Sequence, residues 1–369
     1  MNAGKRRLVR MRWGGIGVFL LGLLAAGALL VVATPMGRYL ARGAWAEGRI
    51  LARRQSIARL AADGATPPAI RAKLQLVLQA RSFAMDSLGL PANDSFTQFT
   101  QLEHDTLVLV LSGAYRDALR PVTWWFPVVG RVPYKGYFDF ADARRAEQRL
   151  AAEGYDTYLR PSPAFSTLGF FNDPLLSTTL GEDSLEIVNT VLHELTHNRF
   201  YAKGEAEFNE GFASFVGARG AERFFRARGD TARARRVAER WADDLLLGAV
   251  WERTYQSLDS AFAAHPGDAA RAARLAARDT VYARARALLV DSVAPRLRTI
   301  DARYAQRVRL DNAALLARRI YATGLGDFEA VYEREGGDVR KALERVIALA
   351  RARPGAGGKA VRAWLDGTR

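Results

Sequence analysis

The chain has 369 residues, of which 49% are hydrophobic and 25% charged; this composition excludes disorder throughout and allows one large domain or two ordinary ones. It has no cysteine, which excludes disulfides and cysteine-ligated zinc or iron–sulfur sites. The formal net charge is +15, but the arginines lie singly among alanines, as in residues 271–279. That spacing is typical of solvated helix faces, so we expect no nucleic-acid partner.

The first predicted element is an uncharged apolar run of 20 residues at 14–33. At about 1.5 Å per residue, such a run spans a bilayer core of roughly 30 Å. Basic residues precede it, so the positive-inside rule predicts a cytoplasmic tail over 1–13 and a transmembrane signal-anchor over 14–34. The exported part, 35–369, would then lie on the periplasmic or extracytoplasmic side of the cytoplasmic membrane, with the lipid bilayer as a partner.

A cleaved signal peptide is the competing interpretation of this N-terminal run. Val31-Val32-Ala33 weakly resembles a small-residue cleavage site. The apolar run is longer than the usual core of a signal peptide, about 7–15 residues, which favours an uncleaved, single-pass anchor. Both interpretations export the rest of the chain.

The next elements are predicted to be helices and short strands. Apolar residues at helical spacing predict helices from Arg38 to about Ala84, with a break at 66–68, and over 141–154. Short strands are predicted from apolar and aromatic runs at 107–111, 124–130, 134–138 and 164–171.

Everything past Asp183 is predicted to be helical. This region contains a helical hairpin over 183–228 and a helical C-terminal part over 231–369. The predicted fold class is therefore α+β, predominantly α-helical.

The chain contains a His-Glu-x-x-His motif that runs from His193 to His197. Residues four apart lie on one face of a helix, so the two imidazoles can bind one Zn²⁺. Glu194 lies on the adjacent flank, where it can hold an attacking water. Asp183 is the predicted N-cap of this helix, with Glu186 as its capping-box partner.

A third ligand is expected on a second helix, because a turn centred near Gly204 would fold the chain back. His197 and Glu210 lie at similar distances on either side of that turn, so an antiparallel hairpin would place them opposite each other. Helix axes about 8–10 Å apart allow an imidazole and a carboxylate to meet on one ion. Glu205 and Glu207 are competing third ligands, although both lie closer to the turn.

The predicted site therefore holds one Zn²⁺ per chain. Three protein ligands leave a fourth position for water, as catalytic zinc sites require. The metzincin arrangement would need a third histidine at position 203, which is Lys203 in this chain.

Several motifs, in the same order, resemble those of the bacterial putative aminopeptidase family, whose members are predicted zinc peptidases. The matching segments are 126–130, 134–138, 166–171, 173–174, 193–197, 208–213 and 310–313. The resemblance extends from about Arg38 to about Val346. It implies a zincin-like metallopeptidase core in which His193, His197 and Glu210 bind the metal and Glu194 is the general base. The segment 208–213, Phe-Asn-Glu-Gly-Phe-Ala, is flanked like the third ligand of gluzincin peptidases.

The resemblance and the motif together predict a membrane-anchored zinc-dependent peptidase, by its family an aminopeptidase, that hydrolyses peptide substrates. Glu194 would take a proton from the attacking water. The alternative is a non-catalytic envelope protein that keeps the hairpin as a metal-binding or structural element. The presence of Glu194, which would bind no metal, favours the enzyme.

Two further groups of residues are candidates for contacts with the substrate. Zinc peptidases bind substrate along an exposed strand edge, for which the candidates are Ser166, Thr167, Leu168 and Gly169; an ordinary buried strand is equally consistent with these residues. The candidates that would stabilise an oxyanion are Tyr134, Tyr137 and Tyr321, and each is also consistent with a core aromatic residue. No acidic group that would bind a substrate's free α-amine stands out in the sequence.

Overall fold

The computed structural model describes residues 33–103, 108–126, 130–162, 174–181 and 183–367, together with Gly22 and Gly27. The chain divides into two compact units between Arg53 and Arg54. In the first unit, helix α1 covers Pro35–Ala52. Thr34 caps its start, because the threonine hydroxyl accepts a 2.9 Å hydrogen bond from the backbone N–H of Gly37.

Helix α1 is not suited to cross a membrane. It carries four charged residues within its 18 positions, namely Arg38, Arg42, Glu47 and Arg49. Across the whole described part of the chain, no helix combines the length and the apolar character that a membrane span requires. On this finding we correct three predictions: the transmembrane helix over 14–34, the single-pass location in the cytoplasmic membrane, and the lipid bilayer as a partner. Most of residues 14–34 lie outside the described residues.

The second unit is built mainly of helices. They are α2 (Ile57–Ala62), α3 (Pro68–Phe83), α4 (Phe140–Ala152), α5 (Ser177–Gly181), α6 (Ser184–Arg199), α7 (Ala206–Ala227), α8 (Thr231–Ala263), α9 (Arg271–Ala287), α10 (Arg303–Arg307), α11 (Asn312–Ala322), α12 (Leu325–Arg334), α13 (Val339–Ala352) and α14 (Gly357–Gly367). Short π-helical turns at Ala84–Leu88 and Leu288–Val293 follow α3 and α9 directly. Pro68 occupies the first turn of α3, which accounts for the break predicted at 66–68.

The described strands form small sheets between the helices. The strands are β1 (Gln55–Ser56), β2 (Gln98–Thr100), β3 (Val108–Ala114), β4 (Trp124–Phe126), β5 (Gly130–Val132), β6 (Tyr134–Tyr137), β7 (Asp156–Ser162) and β8 (Leu175–Leu176). They pair in the orders β1-β2-β8, β6-β3-β7 and β4-β5. In the β6-β3-β7 sheet, which is antiparallel, Leu111 of β3 packs against Ala146 and Leu150 of α4. Successive side chains along a strand point to opposite faces, so the residues next to Leu111 in β3 lie on the sheet face away from α4.

The largest hydrophobic core encloses the α6–α7 hairpin. Phe212 and Phe215 of α7 contact Phe328 of α12, with ring centroids 5.6 and 6.1 Å apart, and Trp241 of α8 lies beside Phe215. Leu192 of α6 is fully buried in the same cluster. Neighbouring helices therefore pack against the apolar faces of α6 and α7. This packing fixes the orientation of the polar faces of the two helices.

The described part of the chain is predominantly helical, and strands contribute only small sheets. We therefore correct the predicted fold class, which was α+β and predominantly α-helical with a zincin-like metallopeptidase core and one N-terminal transmembrane helix. The described residues form a predominantly helical fold in which no helix is suited to span a membrane. The strand predicted at 164–171 lies outside the described residues.

Candidate metal centre

Helix α6 carries the His-Glu-x-x-His motif, and its start is set by Asp183. The Asp183 side chain accepts 2.9 Å hydrogen bonds from the backbone N–H groups of Leu185 and Glu186, as the N-cap prediction requires. The Glu186 side chain, the predicted second half of a capping box, accepts a hydrogen bond from the side-chain amide of Asn189.

The motif residues lie on the side of α6 that faces away from the core. Leu192 and Leu195 are fully buried, whereas His193 and His197 are half-buried and Glu194 is exposed. The two imidazole rings are 5.1 Å apart between centroids. One face of the helix therefore presents both rings together, as the four-residue spacing predicts.

The turn between α6 and α7 is held by Asn209. Its side-chain oxygen accepts a 2.8 Å hydrogen bond from the N–H of Ala202, and its side-chain amide donates a 2.8 Å bond to the carbonyl of the same residue. Gly204 supplies the left-handed backbone conformation within the turn, with φ of 82°. Because Asn209 directly precedes Glu210 in the first turns of α7, this clamp fixes the position of Glu210 relative to the turn.

The hairpin brings Glu210 against both histidines. Nε2 of His193 lies 3.2 Å from one carboxylate oxygen of Glu210, and Nε2 of His197 lies 3.6 Å from the other. His193, His197 and Glu210 each offer one ligand atom, and these three atoms all lie within 4.8 Å of one another. Tetrahedral zinc with bonds of about 2.0–2.1 Å would place neighbouring ligand atoms roughly 3.4 Å apart. The measured separations therefore suit a zinc ion.

The competing third ligands are engaged elsewhere. Glu205 accepts a 2.7 Å hydrogen bond from the backbone N–H of Gly357. Glu207 lies 3.4 Å from a guanidinium nitrogen of Arg319 and 3.2 Å from the hydroxyl of Thr323. Neither belongs to the donor group formed by the two histidines and Glu210.

The protonation of the three residues suits metal binding. Burial and the charge of His193 lower the pKa of His197 to about 4, so its ring is neutral at pH 7. Burial would raise the pKa of Glu210, but its hydrogen bond with His193 and the charge of His197 hold that pKa below its usual value. Burial lowers the pKa of His193, but the hydrogen bond with Glu210 and the negative charges of Glu194 and Glu210 raise it by more, so this pKa lies above its usual value. A metal ion bound here would compete with protons for the same ligand atoms.

The second ring nitrogen of His197 lacks the hydrogen bond that metal-ligating histidines usually make. Its Nδ1 atom is buried and finds no hydrogen-bond partner among the described residues. The two nitrogen donors and one carboxylate match the ligands of catalytic zinc sites, which leave one position open. The residues present therefore fit a zinc ion, and their role as ligands stays a prediction.

The antiparallel sheet forms a wall beside the metal centre. Tyr134 and Tyr158 both pair with Ser112 of the central strand, while Arg160 pairs with Val110. Directly paired residues, and residues two apart, share one sheet face. Tyr134, Tyr158 and Arg160 therefore lie on the face opposite to the one that packs on α4.

Of the three predicted tyrosines, two lie at this site. The pKa of Tyr134 and that of Tyr321 are raised by burial and by the charge of Glu210. Tyr137, three residues from Tyr134, points to the other sheet face and packs against the Leu111 cluster. Tyr137 is therefore packed as a core aromatic residue, on the sheet face away from Tyr134.

Arg160 is a residue that the sequence did not reveal. Its positive charge lowers the pKa of both Tyr134 and Tyr321, so it lies close to both phenols. Its guanidinium group makes no hydrogen bond or ion pair with any described residue. Its signal in the sequence is a lone arginine in a strand, which resembles any surface arginine; only the pairing of β7 with β3 identifies its face.

Helix α11, which carries Tyr321, is anchored to the sheet by Asn312. This fully buried side chain accepts a 2.7 Å hydrogen bond from the hydroxyl of Tyr282 and donates to the carbonyl of Tyr115 at 2.8 Å. The N–H of Asn312 donates to Asp156, the first residue of β7, at 3.0 Å. This network holds the start of α11, the helix that carries Tyr321, against the sheet.

The predicted substrate-binding residues Ser166, Thr167, Leu168 and Gly169 lie outside the described residues. Their role stays a prediction.

Comparison with known proteins places the chain in a family. Neither the curated proteins nor the solved structures provide a significant match to it. The model of one family, described as putative aminopeptidase, matches residues 38–359, which include the motif helix, Glu210 and Arg160. The chain therefore belongs to the putative aminopeptidase family.

Proposed function

We propose that the protein is a zinc-dependent aminopeptidase in which His193, His197 and Glu210 hold one Zn²⁺. The observation that carries this proposal is the position of the Glu210 carboxylate, whose two oxygens lie 3.2 and 3.6 Å from the two imidazole nitrogens. Membership of the putative aminopeptidase family supports a peptidase reaction.

Bound zinc would supply a Lewis acid that polarises the substrate carbonyl and lowers the pKa of a water. Glu194 accepts the proton of the attacking water and delivers it to the leaving amine. Its position supports this role. The charge of Glu194 raises the pKa of both His193 and Tyr321, so the carboxylate lies near both residues, and its side chain is exposed to solvent.

Tyr134, Tyr321 and Arg160 supply donors for the negative charge that develops on the carbonyl oxygen. Both tyrosines have raised pKa values and stay protonated at neutral pH, so their hydroxyls can donate. Arg160 adds a permanent positive charge without a partner among the described residues. Donors of this kind stabilise an oxyanion most strongly when water is excluded.

A purely structural metal site would not need these groups. Such a site needs ligands alone and is usually closed by a fourth protein ligand. Here a base and several donors surround three ligands, which supports catalysis over the non-catalytic alternative.

The proposal is tested by assaying the purified full chain with aminoacyl substrates and internally quenched peptides. We expect hydrolysis of peptides with a free N-terminus, its loss on chelation and its return with added Zn²⁺. Hydrolysis that persists in protein freed of metal would contradict the proposal, as would a complete lack of hydrolysis in zinc-loaded protein.

A further inference from the structure

A cavity of about 490 Å³ lies beside the candidate metal centre. Two of its lining residues, Glu186 and Asn189, precede His193 by seven and four positions, so they lie on the same face of α6 as the histidines. Arg160 and Tyr321 line the cavity and also interact with the phenol and carboxylate groups around Glu210. The cavity is therefore adjacent to the candidate metal centre.

The walls of the cavity are largely apolar and aromatic. Its aromatic lining residues are Tyr158, Trp241, Trp251, Tyr304 and Tyr321. A volume of this size suits a small molecule or a few residues of a peptide. The body of an occupant would therefore contact apolar and aromatic surface, and its specificity would depend on the charged groups.

Of the three arginines that line the cavity, Arg240 and Arg318 already have partners, and the Arg160 side chain has none among the described residues. Arg240 donates to the carboxylate of Asp183. Arg318 donates to the carbonyl of Arg309 and lies over the rings of Tyr158 and Trp251, 5.3 and 5.2 Å from their centroids. Glu186 accepts from Asn189 and lies 3.9 Å from Arg240.

Unlike Glu186, Asp244 has a carboxylate that makes no hydrogen bond or ion pair with the described residues. It lines the cavity from α8 and is exposed there. Desolvation by the surrounding protein and the negative charges of Glu186 and Asp243 raise its pKa to about 7, in spite of Arg240. A cation that enters the cavity would relieve this unfavourable negative charge.

The position of Asp244 along the cavity restricts which cation it can meet. Its charge interacts with that of Glu186, another cavity residue, which lies about two helical turns or ~10 Å along α6 from His193. The α-ammonium of the residue whose carbonyl is attacked lies only two bonds from that carbonyl and stays near the metal centre. A lysine side chain, with four methylene groups, places its ammonium further from the metal centre than this α-ammonium. The N-terminus of a residue that precedes the attacked one also lies further away.

We propose that the cavity binds the part of the peptide substrate on the N-terminal side of the cleaved bond, and that Asp244 binds a primary ammonium group there. The ammonium belongs to a lysine side chain if the enzyme releases single N-terminal residues. If the enzyme releases dipeptides, the ammonium belongs to the N-terminus one residue before the residue whose carbonyl is attacked. The inference rests on the proposed function for the direction of the substrate, but binding of the ammonium itself requires no turnover.

The test uses the metal-free full chain at pH 8 in the presence of a chelator, so that hydrolysis does not contribute. Binding is followed by tryptophan fluorescence, because Trp241 and Trp251 line the cavity. Three probes are compared: N-acetyl-lysinamide, glycyl-norleucinamide and, as the matched ligand without an ammonium, N-acetyl-norleucinamide. Asp244→Asn removes the negative charge, and Asp259→Asn is the control on the same helix, at an exposed position that does not line the cavity.

We expect one or both ammonium probes to bind at least about tenfold more tightly than N-acetyl-norleucinamide, the effect of one charge-assisted hydrogen bond. Asp244→Asn should abolish the preference and Asp259→Asn should keep it. The probe that is preferred identifies the source of the ammonium. Equal affinity of the wild-type protein for all three probes would overturn the proposal, and so would a preference that survives Asp244→Asn.

Failure of this inference can be told apart from failure of the proposed function. If zinc-loaded protein hydrolyses peptides but the three probes bind equally, only the ammonium site is wrong. If the ammonium probes are preferred but zinc-loaded protein hydrolyses no peptide, the cavity site stands and the peptidase assignment fails.

Discussion

At the residue scale, Glu194 can be separated from the candidate ligands by a conservative change. Glu194→Gln keeps the size of the side chain but removes the base, so we expect unchanged zinc content and a fall in kcat of about 10²- to 10⁴-fold. Elemental analysis and a peptide assay on the same sample measure both quantities. An active, metal-loaded Gln variant would show that another group is the base.

Glu210 should behave in the opposite way, because its two oxygens face both imidazoles. Changes in residues that merely support a metal ligand already cost about 10- to 100-fold in affinity, so Glu210→Ala should weaken zinc binding by at least about 100-fold. Competition with a chelator measures this affinity.

The matched controls are Glu205→Gln and Glu207→Gln, which keep the hydrogen-bonding capacity of residues that contact Gly357, Arg319 and Thr323. Both should retain zinc. Normal zinc binding by Glu210→Ala, together with a loss in either control, would move the third ligand to the position of that control.

Asp244 leads to a prediction about stability and pH. Its pKa rises from 3.8 in an unperturbed side chain to about 7 in the folded protein. Between these values the folded state holds a proton that the unfolded state has released, so this group lowers the free energy of unfolding as pH rises from about 4 to 7. The charged groups that act on it are Glu186 on α6, and Asp243 and Arg240 on α8 itself.

Asp244→Asn removes this titration. Relative to the wild type, the variant should gain stability as pH rises from about 4 to 7, and the difference should stay constant above that range. Urea denaturation at pH 4, 5.5, 7 and 8.5 measures it. A stability difference that does not change with pH would show that Asp244 ionises normally.

At the scale of elements, close contact between α6 and α7 depends on Gly217. A Cβ atom at this position would lie 2.6 Å from the side-chain oxygen and 3.0 Å from the carbonyl oxygen of Asn189, and 3.3 Å from Cβ of His193. The two helices would have to separate near the metal centre. Gly211 has the same function toward α11, since a Cβ there would lie 2.3 Å from the carbonyl oxygen of Thr323.

Gly217→Ala should therefore destabilise the protein by about 1–3 kcal/mol, although alanine favours helix formation by about 1 kcal/mol relative to glycine. It should also weaken zinc binding, because His193 and Glu210 lie on the two helices that move apart. Gly326→Ala is the control, since a Cβ in that helix meets open space and should be neutral or slightly stabilising. A Gly217→Ala variant with wild-type stability and zinc affinity would refute the close-packing argument.

At the scale of the whole molecule, local patterns in the sequence anticipated the parts of the site that are near one another in the chain. The N-cap at Asp183, the shared face of His193 and His197 and the turn at Gly204 all follow from helix geometry. The position of Glu210 opposite the histidines follows from equal distances along a hairpin. These features depend on fewer than thirty consecutive residues.

Long-range features could not be predicted in the same way. Arg160 reaches the site because β7 pairs with β3. Asp244 lines the cavity because α8 packs against α7 and its Arg240 binds Asp183 at the start of α6. Neither residue belongs to a motif or a periodic pattern. The predicted membrane helix rested on the hydropathy of one segment, and it is corrected because no helix in the described part of the chain has the length and apolar character of a membrane span.

The central claim is that a single zinc ion, held by His193, His197 and Glu210, is needed for peptide hydrolysis. A titration of metal-free full-length protein with Zn²⁺, in which bound metal and peptide hydrolysis are measured together, tests it most directly. We predict that hydrolysis rises in proportion to bound zinc and stops rising at one ion per chain. Hydrolysis by the metal-free protein, or no hydrolysis after one zinc ion per chain has bound, would contradict the claim.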